Sequence, residues 1–172
     1  MRLLLIISLI PSVVSECVGV VDASCGFSAC VALMSDDTVK AWGHASYGGD
    51  ASGVDLTNVA DVSCGRNTCV AVKNDNTAVS WGQHSRTVTN VAKVLRGSEV
   101  YCALKNDGTA EVWGSDYADI RCNGKGSWCS PLPTDVDLTD LADIECAGSA
   151  NAILKNDGTA YAFGGSEYGG FS

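Results

Sequence analysis

Four stretches of this chain lie on one another without a gap. They read VVDASCGFSACVALMSDDTVKAWG (20–43), VADVSCGRNTCVAVKNDNTAVSWG (59–82), VAKVLRGSEVYCALKNDGTAEVWG (91–114) and LADIECAGSANAILKNDGTAYAFG (141–164), each 24 residues long. One column holds Trp42, Trp81, Trp113 and Phe163, and the next holds Gly43, Gly82, Gly114 and Gly164. Thr38, Thr77, Thr109 and Thr159 make a third. The linkers vary, at 15, 8 and 26 residues. A constant unit with variable connections is one supersecondary element repeated, its connections lying on the surface. So short a unit cannot bury an apolar face alone and must pack on copies of itself.

Each copy reads as three short strands. In the second copy VADVSC is the first, CVAVK the second and AVSWG the third, with GRNT and NDNT as the turns between them. The turn chemistry accounts for KNDGT. Asn106 and Asp107 hydrogen-bond local backbone, and Gly108 supplies a positive φ. Asp157-Gly158 repeats the arrangement; Asn76 and Asp37 occupy the glycine slot in the other two copies. A calcium loop is excluded, since one carboxylate cannot supply the six to eight oxygens that ion takes.

The strands are apolar on both faces. Val70 and Val72 point one way, Cys69 and Ala71 the other. A sheet wet on one side would alternate with polar residues. Small residues on both faces suit a small sheet held between two similar sheets, and such sheets stacked around an axis make a β-propeller. The expected fold is all-β: a partial propeller of about four blades, each of three or four antiparallel strands. The aromatic column then packs between blades.

The charge pattern narrows the partners. The chain carries 11 Lys and Arg against 20 Asp and Glu, a net charge of −9, and its basic residues are scattered. Phosphate binding needs clustered positive charge, so no nucleic-acid partner is expected. The opening MRLLLIISLIPSVVSEC has one Arg, an apolar run from Leu3 to Ile10, and small residues suited to cleavage after Ser15. The run is shorter than the roughly 20 residues a membrane span requires. Residues 1–15 therefore read as a signal peptide. Residues 16–172 read as one propeller-repeat domain, with copies at 20–58, 59–90, 91–140 and 141–172, secreted or in the lumen of the secretory pathway and off the membrane once cleaved.

The signature V-x-x-V-x-C-G, then A-L-K-x-D-G-T, then W-G, resembles the regulator of chromosome condensation repeat, whose superfamily includes the β-lactamase inhibitory protein II type. The matching pieces are Cys64-Gly65, Ala103-Leu104-Lys105, Asn106-Asp107-Gly108-Thr109, Trp113-Gly114, and the linker starts SYGGD (46–50) and EYGG (167–170). The resemblance covers about 20–172 and implies a seven-bladed propeller in full-length members. Two departures stand out. Family members often carry His-Thr before the second strand, where this chain has Ala29-Cys30, Thr68-Cys69, Val100-Tyr101 and Ala150-Asn151. There are four copies rather than seven, which reads as a truncated product, a chain closed by pairing with another, or an open stack. Exposed blade edges would favour self-association. An Asp-box propeller of the sialidase kind is not supported, because Gly108 follows Asp107 directly and Trp113 lies six residues on.

Nine cysteines fit an oxidising compartment. Cys25 and Cys30 flank the first turn of copy one, Cys64 and Cys69 that of copy two, and each pair is placed to form a disulfide. So short a loop gives about 2 kcal/mol. Cys122 and Cys129 bracket NGKGSW in the longest linker, where a bridge would pin the loop; Cys17, Cys102 and Cys146 remain. Buried free thiols, or a four-thiolate zinc site from Cys25, Cys30, Cys64 and Cys69 in a cytosolic setting, are the alternatives. No catalytic set is visible. His44 and His84 stand alone in loops, and no Ser, Cys or carboxylate keeps a motif spacing from either. No metal and no cofactor is expected. The chain reads as a non-catalytic binding module for a protein partner. Its specificity would lie in residues 115–140, where Arg121, Lys125 and Trp128 are the candidate anchors. Resemblance alone implies two other readings: an inhibitor of a secreted enzyme, or a fragment of a larger nucleotide-exchange or ubiquitin-ligase-associated propeller.

Overall fold

The computed structural model describes residues 19–97, 100–114, 137–147 and 150–164. Each copy folds into one antiparallel sheet. Copy one gives β1 (Val20–Cys25), β2 (Ala29–Met34) and β3 (Val39–Gly43); copy two gives β4 (Val59–Cys64), β5 (Thr68–Lys73), β6 (Ala78–Gly82) and a short β7 (Arg86–Val88). Copy three gives β8 (Val91–Arg96), β9 (Val100–Lys105) and β10 (Ala110–Gly114); copy four gives β11 (Leu141–Cys146), β12 (Ala150–Lys155) and β13 (Ala160–Gly164). Strands pair in chain order within each sheet; among the described residues the second copy has four strands and the others three. A single 3₁₀ turn at Ala45–Tyr47 opens the first linker. No helix among the described residues is long and apolar enough to cross a membrane.

The turn between second and third strands has the same backbone in every copy. Its last slot is at positive φ whether it holds Asp37 (60°), Asn76 (64°), Gly108 (75°) or Gly158 (85°). The preceding Asp fixes the turn. Asp107 Oδ1 accepts from the Thr109 N–H at 3.0 Å and its hydroxyl at 2.6 Å, and Asp36 and Asp157 accept similarly from Thr38 and Thr159. These bonds to the charged form hold the Asp36, Asp107 and Asp157 carboxyls below the usual range.

The same turn couples one copy to the next. The Val91 N–H donates to the Asn76 carbonyl and the Leu141 N–H to the Gly108 carbonyl, both at 2.8 Å. The Asn that opens the turn clasps the residue before its own first strand. Asn74, Asn106 and Asn156 amides reach Asn58, Asn90 and Asp140, which all sit at positive φ. A register shift one residue into each first strand recurs in all four sheets.

At each of three joints the forward apolar face of one sheet meets the backward face of the next. Ala29, Val31 and Leu33 pack against Val59, Val62, Cys64, Ala71 and Trp81. Val70, Ala78 and Val88 pack against Val91, Tyr101, Ala103 and Trp113. Val100 and Cys102 pack against Leu141, Ile144, Cys146, Ile153 and Phe163. The aromatic column therefore belongs to the backward face. Trp81 Nε1 donates to the Gly48 carbonyl at 2.9 Å and Trp113 Nε1 to Ser80 Oγ at 3.2 Å, each on the copy before. The glycine after Trp42 and after Trp81 is forced by approach to the first turn: Gly82 is at φ 105°, and a Cβ there would lie 2.8 Å from the Asn67 carbonyl oxygen.

Lysines at the ends of second strands pin the linkers. Lys73, nearly buried, reaches Asp55 at 2.7 Å, and Lys155 approaches Asp137 at 4.0 Å. The Lys73 ammonium and the Thr57 hydroxyl lower the Asp55 carboxyl to about 2.

Two outcomes follow for stability. Trp81→Ala removes a buried indole between two sheets and leaves the Gly48 carbonyl without its donor, and a loss of about 3–5 kcal/mol is expected in urea unfolding. Asp55→Asn lowers the unfolding midpoint at neutral pH by taking the charge from beside Lys73. Because the Asp55 pKa is depressed on folding, its contribution is complete above the ordinary value of 3.8 and is lost as pH falls to about 2. The gap between wild type and variant should close over that range in parallel urea titrations.

Candidate functional site

With Trp81, Trp113, Tyr101 and the valines around them drawn into the joints between sheets, the turns and linkers are left to carry function. Two concave regions lined by described residues lie there. The first gathers the turns between first and second strands of all four copies. Gly26 packs so closely on Gly65 that a Cβ at Gly26 would strike the Gly65 carbonyl oxygen. With Gly97 and Ala147 in the equivalent places, these turns line a groove of about 660 Å³ that also includes Phe27, Arg66 and Arg96. Phe27 is 82% exposed, and the Arg66 guanidinium lies 5.6 Å from its ring centroid. A flat apolar ring beside guanidinium groups can take carboxylate or aromatic side chains of a protein.

The second groove, about 620 Å³, lies between β3 and the first linker and is lined by Val39, Ala41, Trp42, Ala51, Val54 and Leu56. His44 stacks on Tyr47 at 4.4 Å beside it. Asp50 caps its loop by accepting from the Ser52 N–H at 2.8 Å, which lowers its carboxyl.

The structure places Cys25 and Cys30 directly across from one another in β1 and β2, and Cys64 and Cys69 likewise in β4 and β5. Both pairs lie at disulfide distance. It does not gather the four into one thiolate cluster, and among the described residues no group of three His, Cys, Asp or Glu could hold a metal ion. The Trp-Gly and Phe-Gly columns end the third strands, where Trp81, Trp113 and Phe163 are buried and Trp42 is half exposed. Residues 1–15, the pair Cys122 and Cys129, and the anchors Arg121, Lys125 and Trp128 lie outside the described residues.

Two features escaped sequence reasoning. Cys102, on the forward face of copy three, lies at disulfide distance from Cys146, on the backward face of copy four. The signal was there: Cys146 stands in the column of Cys25 and Cys64, but its cross-strand partner is Asn151 rather than cysteine. Asn151 is buried, and its Oδ1 has no hydrogen-bond partner among the described residues. Copy three fills the same slot with Tyr101. Its hydroxyl donates to the Thr68 carbonyl at 2.5 Å and accepts from the Gly65 N–H at 3.1 Å, so a side chain of one copy ties down the first turn of the copy before. Burial pushes the Tyr101 phenol up to about 12. It stays a neutral strut.

Comparison with known proteins agrees with this architecture. The family described as "Regulator of chromosome condensation (RCC1) repeat" matches residues 20–48. No curated protein sequence matches the chain. Among solved structures, human WBSCR16 is similar at 18% identity and a TM-score of 0.57, over 84% of this chain and 47% of that one. Prp20p of Saccharomyces cerevisiae, solved with a description of its binding to Gsp1p and histones, is similar at 17% and 0.57, over 87% of this chain and 46% of that one. The CRINKLY WD40 ectodomain of the Arabidopsis thaliana receptor kinase ACR4 is similar at 17% and 0.56, over 86% and 54%. The chain thus spans about half the length of these structures. Repeat, strand order and neighbours agree: the described residues form an RCC1-like β-propeller fold of four consecutive blades.

Proposed function

We propose that this chain is a non-catalytic module of the secretory pathway or extracellular space that binds a protein partner through its linkers and turns. One observation carries the reading: the constant residues of the repeat are consumed by blade-to-blade packing, so chemical variety is confined to the segments that differ between copies. Support also comes from Prp20p, a structural neighbour described with protein partners, and from ACR4, whose matching part is an ectodomain. The linker 115–140 supplies the anchors in this proposal, Arg121, Lys125 and Trp128. Aromatic and arginine side chains are the usual centres of binding energy at protein interfaces. Enzyme inhibition by the same surface is a narrower form of this reading.

The compartment is part of the proposal. The three cysteine pairs suit an oxidising environment, where such pairs persist as bonds. Intact-mass analysis of secreted protein, alkylated before and after reduction, should show at least six cysteines protected until reduction. For Cys102–Cys146, closing a loop with a sequence separation of 44, loop-closure entropy gives about 4 kcal/mol. Cys102→Ala should therefore cost more stability in urea than Cys25→Ala, whose loop has a separation of 5.

Binding is tested by capture from extracellular medium with the whole chain as bait. Replacing Arg121, Lys125 and Trp128 together by Ala should abolish recovery of the partner while leaving the unfolding midpoint within experimental error. Recovery of the same partner by both baits would overturn the assignment of these anchors.

A further inference from the structure

The sheet of copy two is finished by a strand that the sheet of copy one lacks among the described residues. There β7 pairs along the outer edge of β6, Ala78 with Val88, Val79 with Thr87 and Ser80 with Arg86. Val88 is buried, and so are Ala78 and Ser80. Aligning the copies puts Val39, Lys40 and Ala41 of β3 in those three columns of β6. The linker after β3 is described throughout, from His44 to Asn58, and adds no strand to that edge. Val39 and Ala41 stay half-buried, and Lys40 is exposed. The difference has a local cause. The Ser80 hydroxyl donates to the His84 carbonyl at 2.8 Å and lies 3.3 Å from the Arg86 carbonyl, which holds the returning chain along β6. Copy one has Ala41 in that column, without a hydroxyl, and its chain enters the 3₁₀ turn at Ala45–Tyr47 instead. The linker then sets Ala51, Val54 and Leu56 across from β3, as the other wall of the groove of about 620 Å³.

We infer that this groove takes an extended segment of a protein partner, which pairs antiparallel with β3 as the fourth strand of the first sheet. The pattern of the segment follows from β7. Its residue opposite Val39 holds the place of Val88 and is apolar and β-branched, in a groove lined by Val54 and Leu56. The residue before it holds the place of Thr87 and stands opposite Lys40. An acidic side chain there meets the ammonium, and opposite charges directly across a strand pair attract. Copy two has Val79 in that column, so the charge is particular to the edge of copy one. An unpaired edge is a template for strand addition, in which main-chain hydrogen bonds give affinity and alternate side chains give specificity.

The probe is a fluorescein-labelled peptide copied from residues 84–90 and carrying Thr87→Glu. Fluorescence anisotropy with the full chain should show saturable binding, and amide hydrogen exchange should slow at residues 39–41. Lys40→Glu alters a side chain already exposed, so circular dichroism should be unchanged, and the peptide should bind roughly tenfold more weakly. A peptide carrying Thr87→Lys should restore binding to that variant. The Glu peptide N-methylated at its three pairing residues keeps its side chains but has no N–H to donate there, and it should not bind. Absence of saturation at millimolar peptide overturns the inference. So does equal binding to the Lys40→Glu chain, and so does equal binding of the N-methylated peptide. Arg121, Lys125 and Trp128 are untouched in these measurements, so failure of either proposal leaves the other standing.

Discussion

A three-stranded sheet with apolar side chains on both faces has no interior of its own. Everything else in this structure answers that constraint. Burial has to come from neighbours, and the neighbours have to arrive at a fixed spacing, or small residues such as Ala71 and Ala103 would face gaps. Two contacts set the spacing. An indole near one end of the sheet reaches back to the copy before, Trp81 to the Gly48 carbonyl and Trp113 to the Ser80 hydroxyl. At the other end the carbonyl of a hairpin-turn residue holds the first N–H of the next copy, Asn76 with Val91 and Gly108 with Leu141. Between these fixed points the apolar columns meet in register.

That division explains what could be read from residues alone. The strands of copy two fall within a residue of where the apolar runs and turns put them, because the second and third strands alternate across a turn whose chemistry is local. The positive φ at Gly108 follows from the same local logic. What escaped was set by the neighbouring sheet. Tyr101 looks like one more aromatic in a strand; only its position beneath the first turn of copy two makes it a strut. The shift early in each first strand is a property of pairing and leaves no mark that periodicity detects. Cys102 and Cys146 are 44 residues apart and in different columns, so hairpin reasoning could not match them. Trp42 was legible as a joint residue, and its exposure depends on what stands beside copy one.

The polar groups show a matching economy. In the turns of copies one and three, Asp36 and Asp107 each satisfy backbone and hydroxyl donors together, and Lys73 and Lys155, at the ends of their second strands, reach the linkers and fasten them. Lys93 of copy three pairs across the joint with Asp143 and Glu145 of copy four, and Arg86 of the second linker with Glu111 of copy three. These pairs are exposed, and pairs of that kind add little stability. Their value is in register: they oppose sliding of one sheet past the next, which an apolar joint alone resists weakly.

A bond between Cys102 and Cys146, which lie at disulfide distance, would have a consequence for processing. Residues 103–145 lie inside the ring it closes, and they include the longest linker, which carries the proposed anchors. A protease that cuts this linker once would open a backbone but release no fragment. Copies three and four would remain covalently joined, and the nicked chain would leave the enzyme at its original mass plus one water.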